Sequence, residues 1–334
     1  MKYSLLVVTD HTTHTVSKSI YRLCQAMRDD PRCKDVWVCS RGLEENKYFF
    51  GGISNAEIFG SQVSDDFRFE TEGSFFYKDV QQIDRNAIDA ILIRMPQPPD
   101  PAFFFSLETI VPPTHIINRP DGIMETSSKA FLLELSHLCP EPLLCHSIEH
   151  AIVLAGKQEI VLKPLYSYGG RGIVRISAID CWNENEKHSL SELSNFLDEG
   201  HFPMLATRFL KNVIMGDKRT IVANGQILGS ALRLPAPGSW MCNVAQGGRA
   251  ELAEADENEL IIERILTPLL HNKGVIFYGF DTLVDDDGKR VLSEINTLSI
   301  GGLTPLDEMS NDNILGRAAS LLWDYMSERH FERG

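Results

Sequence analysis

Short apolar runs alternate with amphipathic stretches along the chain, and their order predicts a mixed α/β protein. Residues 3–9 (Tyr-Ser-Leu-Leu-Val-Val-Thr) read as a buried strand, and Val16, Ile20, Leu23 and Met27 keep helical spacing. Residues 36–39 are a second strand. A strand–helix–strand start implies a parallel α/β layer. Residues 41–88 are rich in Phe, Gly and acids and have little periodicity, so they predict no clear element. Residues 90–94 form a strand before the breaker run Pro96-Gln97-Pro98-Pro99-Asp100-Pro101, and residues 114–117 form another. Asp121 is expected to cap an amphipathic helix reaching about His137.

The second half opens with a helix over 148–155 and a strand over 159–163. A glycine-rich turn, a strand over 172–177 and a short helix over 189–197 follow. Strands are expected at 204–210, 219–222 and 227–234, then a long polar loop at 235–248 and an amphipathic helix at 256–270. Gly-Val-Ile-Phe-Tyr-Gly-Phe-Asp (274–281) and Val-Leu-Ser-Glu-Ile-Asn (291–296) read as two strands of a hairpin turned by Asp285-Asp286-Asp287-Gly288. A helix over 307–326 ends the pattern. There are no internal repeats and no low-complexity tail.

Composition narrows the class. The 334 residues suit two or three subdomains, and 43% hydrophobic with 23% charged content is that of a soluble globular protein. A net charge of −14 argues against nonspecific nucleic-acid binding, which needs a basic face, but leaves room for a nucleotide. No apolar run reaches membrane-spanning length, and the start lacks the pattern of a signal peptide. Cys24, Cys33, Cys39, Cys139, Cys145, Cys181 and Cys242 are scattered without a C-x-x-C pair, so reduced thiols in the cytoplasm are expected.

The candidate chemistry lies on the hairpin. Asp281, Glu294 and Asn296 can project from one end of a sheet, and three oxygen donors there suit Mg²⁺, which also takes water and phosphate oxygens. Taken alone, they read equally well as a solvated strand end. In the run from Ile160 to Val174, an apolar strand ends in Lys163 before a turn bearing Gly169 and Gly170. Such a turn lets backbone N–H groups approach phosphate oxygens, with a Lys ammonium beside them. It is neither a Walker A loop nor a Rossmann fingerprint, and an ordinary hairpin with a surface Lys is the competing reading.

Lys129 falls inside a helix and reads as solvated on sequence alone. Gly216-Asp217-Lys218-Arg219 opens a strand and Arg233 ends the next, where arginines can grip a phosphoryl group or a carboxylate by two bonds. Residues 243–249 (Asn-Val-Ala-Gln-Gly-Gly-Arg) form another glycine-bearing loop able to order over an anion. His11 and His14 lack partners for metal ligation and read as a polar loop capping the first helix. Phe75-Phe76-Tyr77 and Phe103-Phe104-Phe105 read as core or subunit-interface packing.

Together these segments resemble the ATP-grasp superfamily and, within it, prokaryotic glutathione synthetase, from residue 3 to about 326. Ile-Leu-Ile-Arg-Met (91–95) before prolines, Ile-Asn-Arg-Pro (117–120) followed by Lys129, and Ile-Val-Leu-Lys-Pro-Leu-x-x-x-Gly-Gly (160–170) carry the likeness. So do Gly-Asp-Lys-Arg (216–219), Asn-x-Ala-x-Gly-Gly-Arg (243–249) and Glu-Ile-Asn (294–296). The resemblance implies an ATP-grasp fold in three parts: an N-terminal parallel-sheet substrate domain (1–120), a central lid (121–210) and a C-terminal α+β catalytic and metal-binding part (211–334).

The resemblance also implies roles. Lys129 and Lys163 bind ATP phosphates, Gly169 and Gly170 lie in the loop over them, and Asp217 approaches the ribose. Asn243, Gly247 and Gly248 belong to a second loop at the nucleotide. Arg219 and Arg233 stabilise phosphoryl transfer, while Asp281, Glu294 and Asn296 hold Mg²⁺, or Mn²⁺ in its place. The implied reaction turns a carboxylate into an acylphosphate that an amine then attacks. The partners are small carboxylate and amine substrates, and Phe103–Phe105 is a candidate contact in a homo-oligomer.

Three stretches depart from the family pattern. Arg94-Met95-Pro96-Gln97-Pro98-Pro99 replaces Arg-Lys-Asp-Pro-Pro, Thr297 to Gly302 replaces Val-Thr-Ser-Pro-Thr, and Thr207-Arg208-Phe209 replaces an ending such as Gln-x-Tyr. The resemblance makes γ-glutamylcysteine and glycine the leading substrate pair, and these departures in the substrate-facing loops open it to alternatives. A ligase for another carboxylate and amine, and a nucleotide-binding protein without ligase activity, stay open as alternatives.

Overall fold

The computed structural model describes residues 2–167, 169–242 and 248–331. Three sheets organise them. The first runs in the order Gln81–Gln82, Phe59–Gln62, Cys33–Ser40, Tyr3–Thr9, Ala90–Arg94, Ile116–Ile117. Its last four strands are parallel. Every residue of Tyr3–Thr9 is buried, as expected for a parallel strand covered on both faces. Leu5 and Val7 pack with Leu23, Met27 and Trp323, while Leu6 and Val8 pack with Phe49, Phe103 and Phe104. Residues 41–88, unreadable in the sequence, supply the two antiparallel edge strands and the buried Phe67 and Phe76.

The second sheet is antiparallel, in the order Glu186–Ser189, Asp180–Asn183, Val174–Ile176, Ile160–Pro164, Met204–Arg208, Leu143–Cys145. The third, also antiparallel, runs Arg249–Ala253, Gln226–Leu234, Asp217–Ala223, Phe277–Val284, Arg290–Asn296. Helix Glu257–Asn272 covers its rear face, burying Ile262, Leu266 and Leu270 against Val222, Tyr278, Phe280, Leu292 and Ile295. Asp256 caps this helix in a reciprocal box with Glu259.

Several expected elements are corrected. The first helix is Ile20–Asp29; Val16 lies outside it and is exposed. His11 and His14 do not cap it, since Ser19 stands at the N-cap. Their rings bind inward instead: His11 Nδ1 lies 2.7 Å from Ser40 Oγ, and His14 lies 2.8 Å from Tyr21 OH and 2.9 Å from Thr9 Oγ1. The helix expected over 121–137 is two pieces, Pro120–Thr126 and a 3-10 helix Lys129–Leu138. Arg119, not Asp121, stands at the first cap, because Pro120 lacks an N–H and suits the first helical position. Ser128 starts the second piece by accepting from Ala130 N (3.2 Å). The terminal helix likewise divides into Leu303–Met309 and Ile314–Phe331. Phe103 and Phe104 are core residues, whereas Phe105 is exposed.

Candidate active site

Alternation along a strand decides which side chains of the third sheet face which way. Asp217 and Arg219 lie on the front, Lys218 and Thr220 on the rear. Register sets Arg219 opposite Asp281, Asp281 opposite Glu294, and Asp217 opposite Arg233. A row of charges therefore crosses the middle of the sheet. This corrects the expectation of a strand end: Phe277–Val284 runs on past Asp281.

One irregularity matters. Asp281 pairs with Glu294 but Thr282 pairs with Leu292, so Ser293 is an extra residue, a β-bulge. It brings Glu294 onto the face of Asp281. It also turns Ser293 towards the second sheet, where Lys163 Nζ donates to its carbonyl (3.2 Å) and its hydroxyl (3.0 Å).

The front row is tightly wired. Arg219 donates from Nε and Nη2 to the two oxygens of Asp281, both at 2.7 Å. Arg233 donates to both oxygens of Asp217 (2.5 and 2.6 Å) and from Nη2 to Asp281 Oδ2 (2.8 Å). Burial alone would raise Asp281, but two guanidiniums outweigh it and hold its carboxyl well below the usual range. Asp217 behaves oppositely. Burial pushes it up to about 6 against the pull of Arg233, with the charge of Asp281 adding to the rise. Burial also lowers Lys163, opposed by the charge of Glu294.

Lys129 is not a solvated helix lysine. It is the first residue of its 3-10 turn, only 6% exposed, with Nζ bonded to the Ser167 carbonyl and 3.9 Å from Glu294 Oε1. Asn296 completes the row, its amide donating to Glu294 Oε1 (3.2 Å) and accepting from Arg219 Nη2 (3.1 Å).

Between the second and third sheets lies an open cleft. Its polar end holds Lys163, Asp217, Arg219, Arg233, Asp281 and Glu294; Gly169 and Gly170 border it at φ values of 71° and 74°, which favour glycine. Its apolar end is walled by Val161, Ile173, Leu210, Met241 and Leu283. Phe209 and Trp240 stand there too, and Phe209 is backed by the Arg175 guanidinium 3.7 Å from its ring centre. Arg175 also stacks on Trp182 (4.2 Å) and bonds Glu159 (2.6 Å), which stiffens this wall. Sequence reasoning missed the apolar end and Ser293. The signal was present in part: Val161 and Lys163, two apart on one strand, share a face.

Gly248 is half-buried, precedes Arg249–Ala253, and is not part of the cleft lining. Asn243 and Gly247 lie outside the described residues.

The donor set fits a hard divalent cation. Asp281 is held ionised, and Oδ1, with one hydrogen bond from Arg219, keeps acceptor capacity. Turning the Asn296 amide over would set its oxygen beside Glu294 Oε1. No cluster of three or more His, Cys, Asp or Glu suited to a metal occurs among the described residues. Two carboxylates and an amide form an incomplete shell, as suits an ion shared with phosphates and water.

An apolar slot leading to an array of lysines, arginines and carboxylates between two antiparallel sheets defines the class: an ATP-grasp carbon–nitrogen ligase. A family model described as the prokaryotic glutathione synthetase ATP-grasp domain matches residues 128–311. Glutathione synthetase of Agrobacterium fabrum is 30% identical over 259 residues, 76% of this chain and 76% of that protein. The Prochlorococcus marinus MIT 9313 glutathione synthetase is 33% identical over 207 residues, 60% of this chain and 64% of its own length. The chain belongs to the prokaryotic glutathione synthetase family.

Solved structures share the fold at low identity. D-cycloserine synthetase superposes with a TM-score of 0.62 at 13% identity, covering 96% of this chain and 99% of that one. A macrocyclase from Microcystis aeruginosa, bound with its precursor peptide, gives 0.58 at 15%, covering 96% and 99%.

Proposed function

We propose that this ligase joins γ-glutamylcysteine to glycine, with ATP driving the step through an acylphosphate and Mg²⁺ as the divalent ion. The observation that carries the reading is the convergence of Lys163, Arg219, Arg233, Asp281 and Glu294 at one end of an apolar-walled cleft. The apolar end takes the base. Lys129 and Lys163 hold phosphate oxygens beneath Gly169 and Gly170. Asp217 orients Arg233 and accepts a ribose hydroxyl with its remaining lone pairs. Asp281, Glu294 and Asn296 hold the divalent ion, for which Mn²⁺ can substitute; when bound, it neutralises charge on the transferring phosphoryl group.

The substrate carboxylate oxygen attacks the γ-phosphorus and ADP leaves. Arg219 and Arg233, fixed beforehand by carboxylates, offer N–H groups to the oxygens that gain charge. The amine nitrogen then attacks the acyl carbon, phosphate departs, and the amide forms after loss of a proton. No side chain needs to act as nucleophile. Residues 1–120, 121–210 and 211–334 serve as substrate domain, lid and catalytic part, acting on small molecules rather than nucleic acid. No helix among the described residues is long and apolar enough to cross a membrane, and a cytoplasmic enzyme, with Phe105 as a contact between copies, is part of the same proposal.

A related ligase for another acid and amine is favoured by one observation. The turn after Asn296 carries Gly301 and Gly302 beside Arg219, with an added Cβ 3.8 and 3.6 Å from its side chain. In the family pattern Val-Thr-Ser-Pro-Thr follows Glu-Ile-Asn instead of Thr297 to Gly302. The test is phosphate release and product mass over a panel of carboxylates and amines with ATP and Mg²⁺. Glutathione as product establishes the first reading, turnover solely with other pairs the second, and nucleotide binding without turnover refutes both.

A further inference from the structure

Asn118 is 3% exposed and lies outside the cleft lining, yet its side chain is fully engaged with the strands that carry the acids. Its Nδ2 donates to Phe277 O and to Thr297 O, both at 2.6 Å. Its Oδ1 accepts from Ile276 N and Phe277 N, both at 2.9 Å. Two donors and two lone pairs are the whole capacity of an amide, and all four are used.

The place of these bonds is informative. The ladder between Phe277–Val284 and Arg290–Asn296 ends at the pair Gly279–Asn296. Phe277 and Thr297 lie just beyond it, Phe277 at the start of its strand and Thr297 directly after the end of the other. The Asn118 amide therefore acts as one more rung, bridging two carbonyls that backbone pairing no longer joins. Without it the strand end holding Asn296 loses both of these backbone ties and is held there by the Thr126–Thr297 hydroxyl bond, at the position where an amide oxygen must be aimed.

The segment bearing Asn118 is itself seated firmly. Arg119 N donates to Gly274 O (3.1 Å), and Thr126 Oγ1 donates to Thr297 Oγ1 (3.0 Å). A Cβ on Gly122 would fall 2.1 Å from Lys273 O, so the helix after Asn118 lies directly on the backbone leading into Phe277–Val284.

We infer that Asn118 is a positioning residue for the divalent-ion site, setting the spacing of Asn296 and Glu294 relative to Asp281 from behind the cleft. This rests on the assignment of Asp281, Glu294 and Asn296 as ion ligands under the proposed function. Groups that orient metal ligands typically change affinity by about 10- to 100-fold when removed.

The test uses the full chain, a nonhydrolysable ATP analogue at saturation, and Mn²⁺ binding read by electron paramagnetic resonance. Asn118→Ala is expected to weaken Mn²⁺ at least about tenfold while analogue affinity without metal stays within about twofold. Asn118→Ser, which keeps one donor, is expected to fall between and carries the test if the alanine variant does not fold. Asn46→Ala is the matched control. Asn46 is also fully buried and staples backbone through Ser40 O, Phe59 O and Phe59 N, but in the first sheet. It is expected to lower the unfolding midpoint with Mn²⁺ affinity unchanged. Wild-type Mn²⁺ affinity in the Asn118 variants, with Glu294→Gln weakened, overturns the positioning role and leaves the ion site standing. Unchanged affinity in Glu294→Gln as well overturns the ion site itself, and the inference with it. An equal loss in Asn46→Ala also overturns it, since general destabilisation would then explain the effect.

Discussion

The two faces of the third sheet each bury a cluster of ions, and the clusters are built to different rules. On the rear, Glu259 is fully buried beneath helix Glu257–Asn272. Lys218 Nζ (2.6 Å), Thr282 Oγ1 (2.5 Å) and Asp256 N (2.9 Å) donate to it, and Lys218 also donates to Glu254 O (2.8 Å). On the front, Arg219 and Arg233 crowd Asp281, yet Glu294 and the cations still border an open cleft. Adjacent residues of one strand, Lys218 and Arg219, thus enter opposite environments. The rear cluster is closed on itself and serves the fold. The front cluster keeps exposed edges and unused lone pairs, which is what binding and phosphoryl transfer require.

The largest contrast is expected from Glu294→Gln. It should lower ATP turnover by about 100-fold or more, as loss of a main electrostatic group does, with little change in the unfolding midpoint; turnover near wild type would remove the functional distinction. Next, Lys218→Met should destabilise the fold by about 3 kcal/mol, because Glu259 loses the ammonium bonded to it and keeps the Arg290 guanidinium at 3.9 Å. In the double variant with Glu259→Leu much of that loss should return in urea unfolding. Turnover per folded molecule should hold throughout, and a parallel loss of activity would mean that the rear face also tunes the chemistry.

A smaller effect concerns pH. Asp217 takes up its proton in the folded chain at about 6, above the ordinary 3.8. As pH falls through 6, Arg233 loses a charged partner, and turnover should decline on that limb. Asp217→Asn should lack this step; persistence of the same limb assigns it to another group. The smallest effect lies far from the cleft. Burial lowers His14 to about 4 from 6.5. The unfolded chain binds this proton first, so the contribution is complete above 6.5 and is lost as pH drops towards 4. His14→Gln should flatten the midpoint-versus-pH curve in that window.

Much of this was readable before the fold. The buried parallel strands announced themselves as apolar runs, and the hairpin turn placed Asp281 and Glu294 together. What stayed hidden has physical causes. Lys129 looks like any helix lysine because its burial comes from Ser167 and Glu294, both distant in sequence. Residues 41–88 lack periodicity because short edge strands and 3-10 turns carry little of it; Phe67 and Phe76 are buried through tertiary contacts alone. The apolar wall draws Ile173, Leu210 and Met241 from separate segments, and no local window contains them.

The additional residue at Ser293 makes the proposed ligand set depend on counting as well as on chemistry. Side chains alternate along a strand, so a regular ladder that set Ser293 opposite Asp281 would turn Glu294 and Asn296 into the oily layer under the helix and bring Ile295 round to the cleft. An exchange of one side chain here harms one contact; a frame shift of one step within the strand would invert the whole surface.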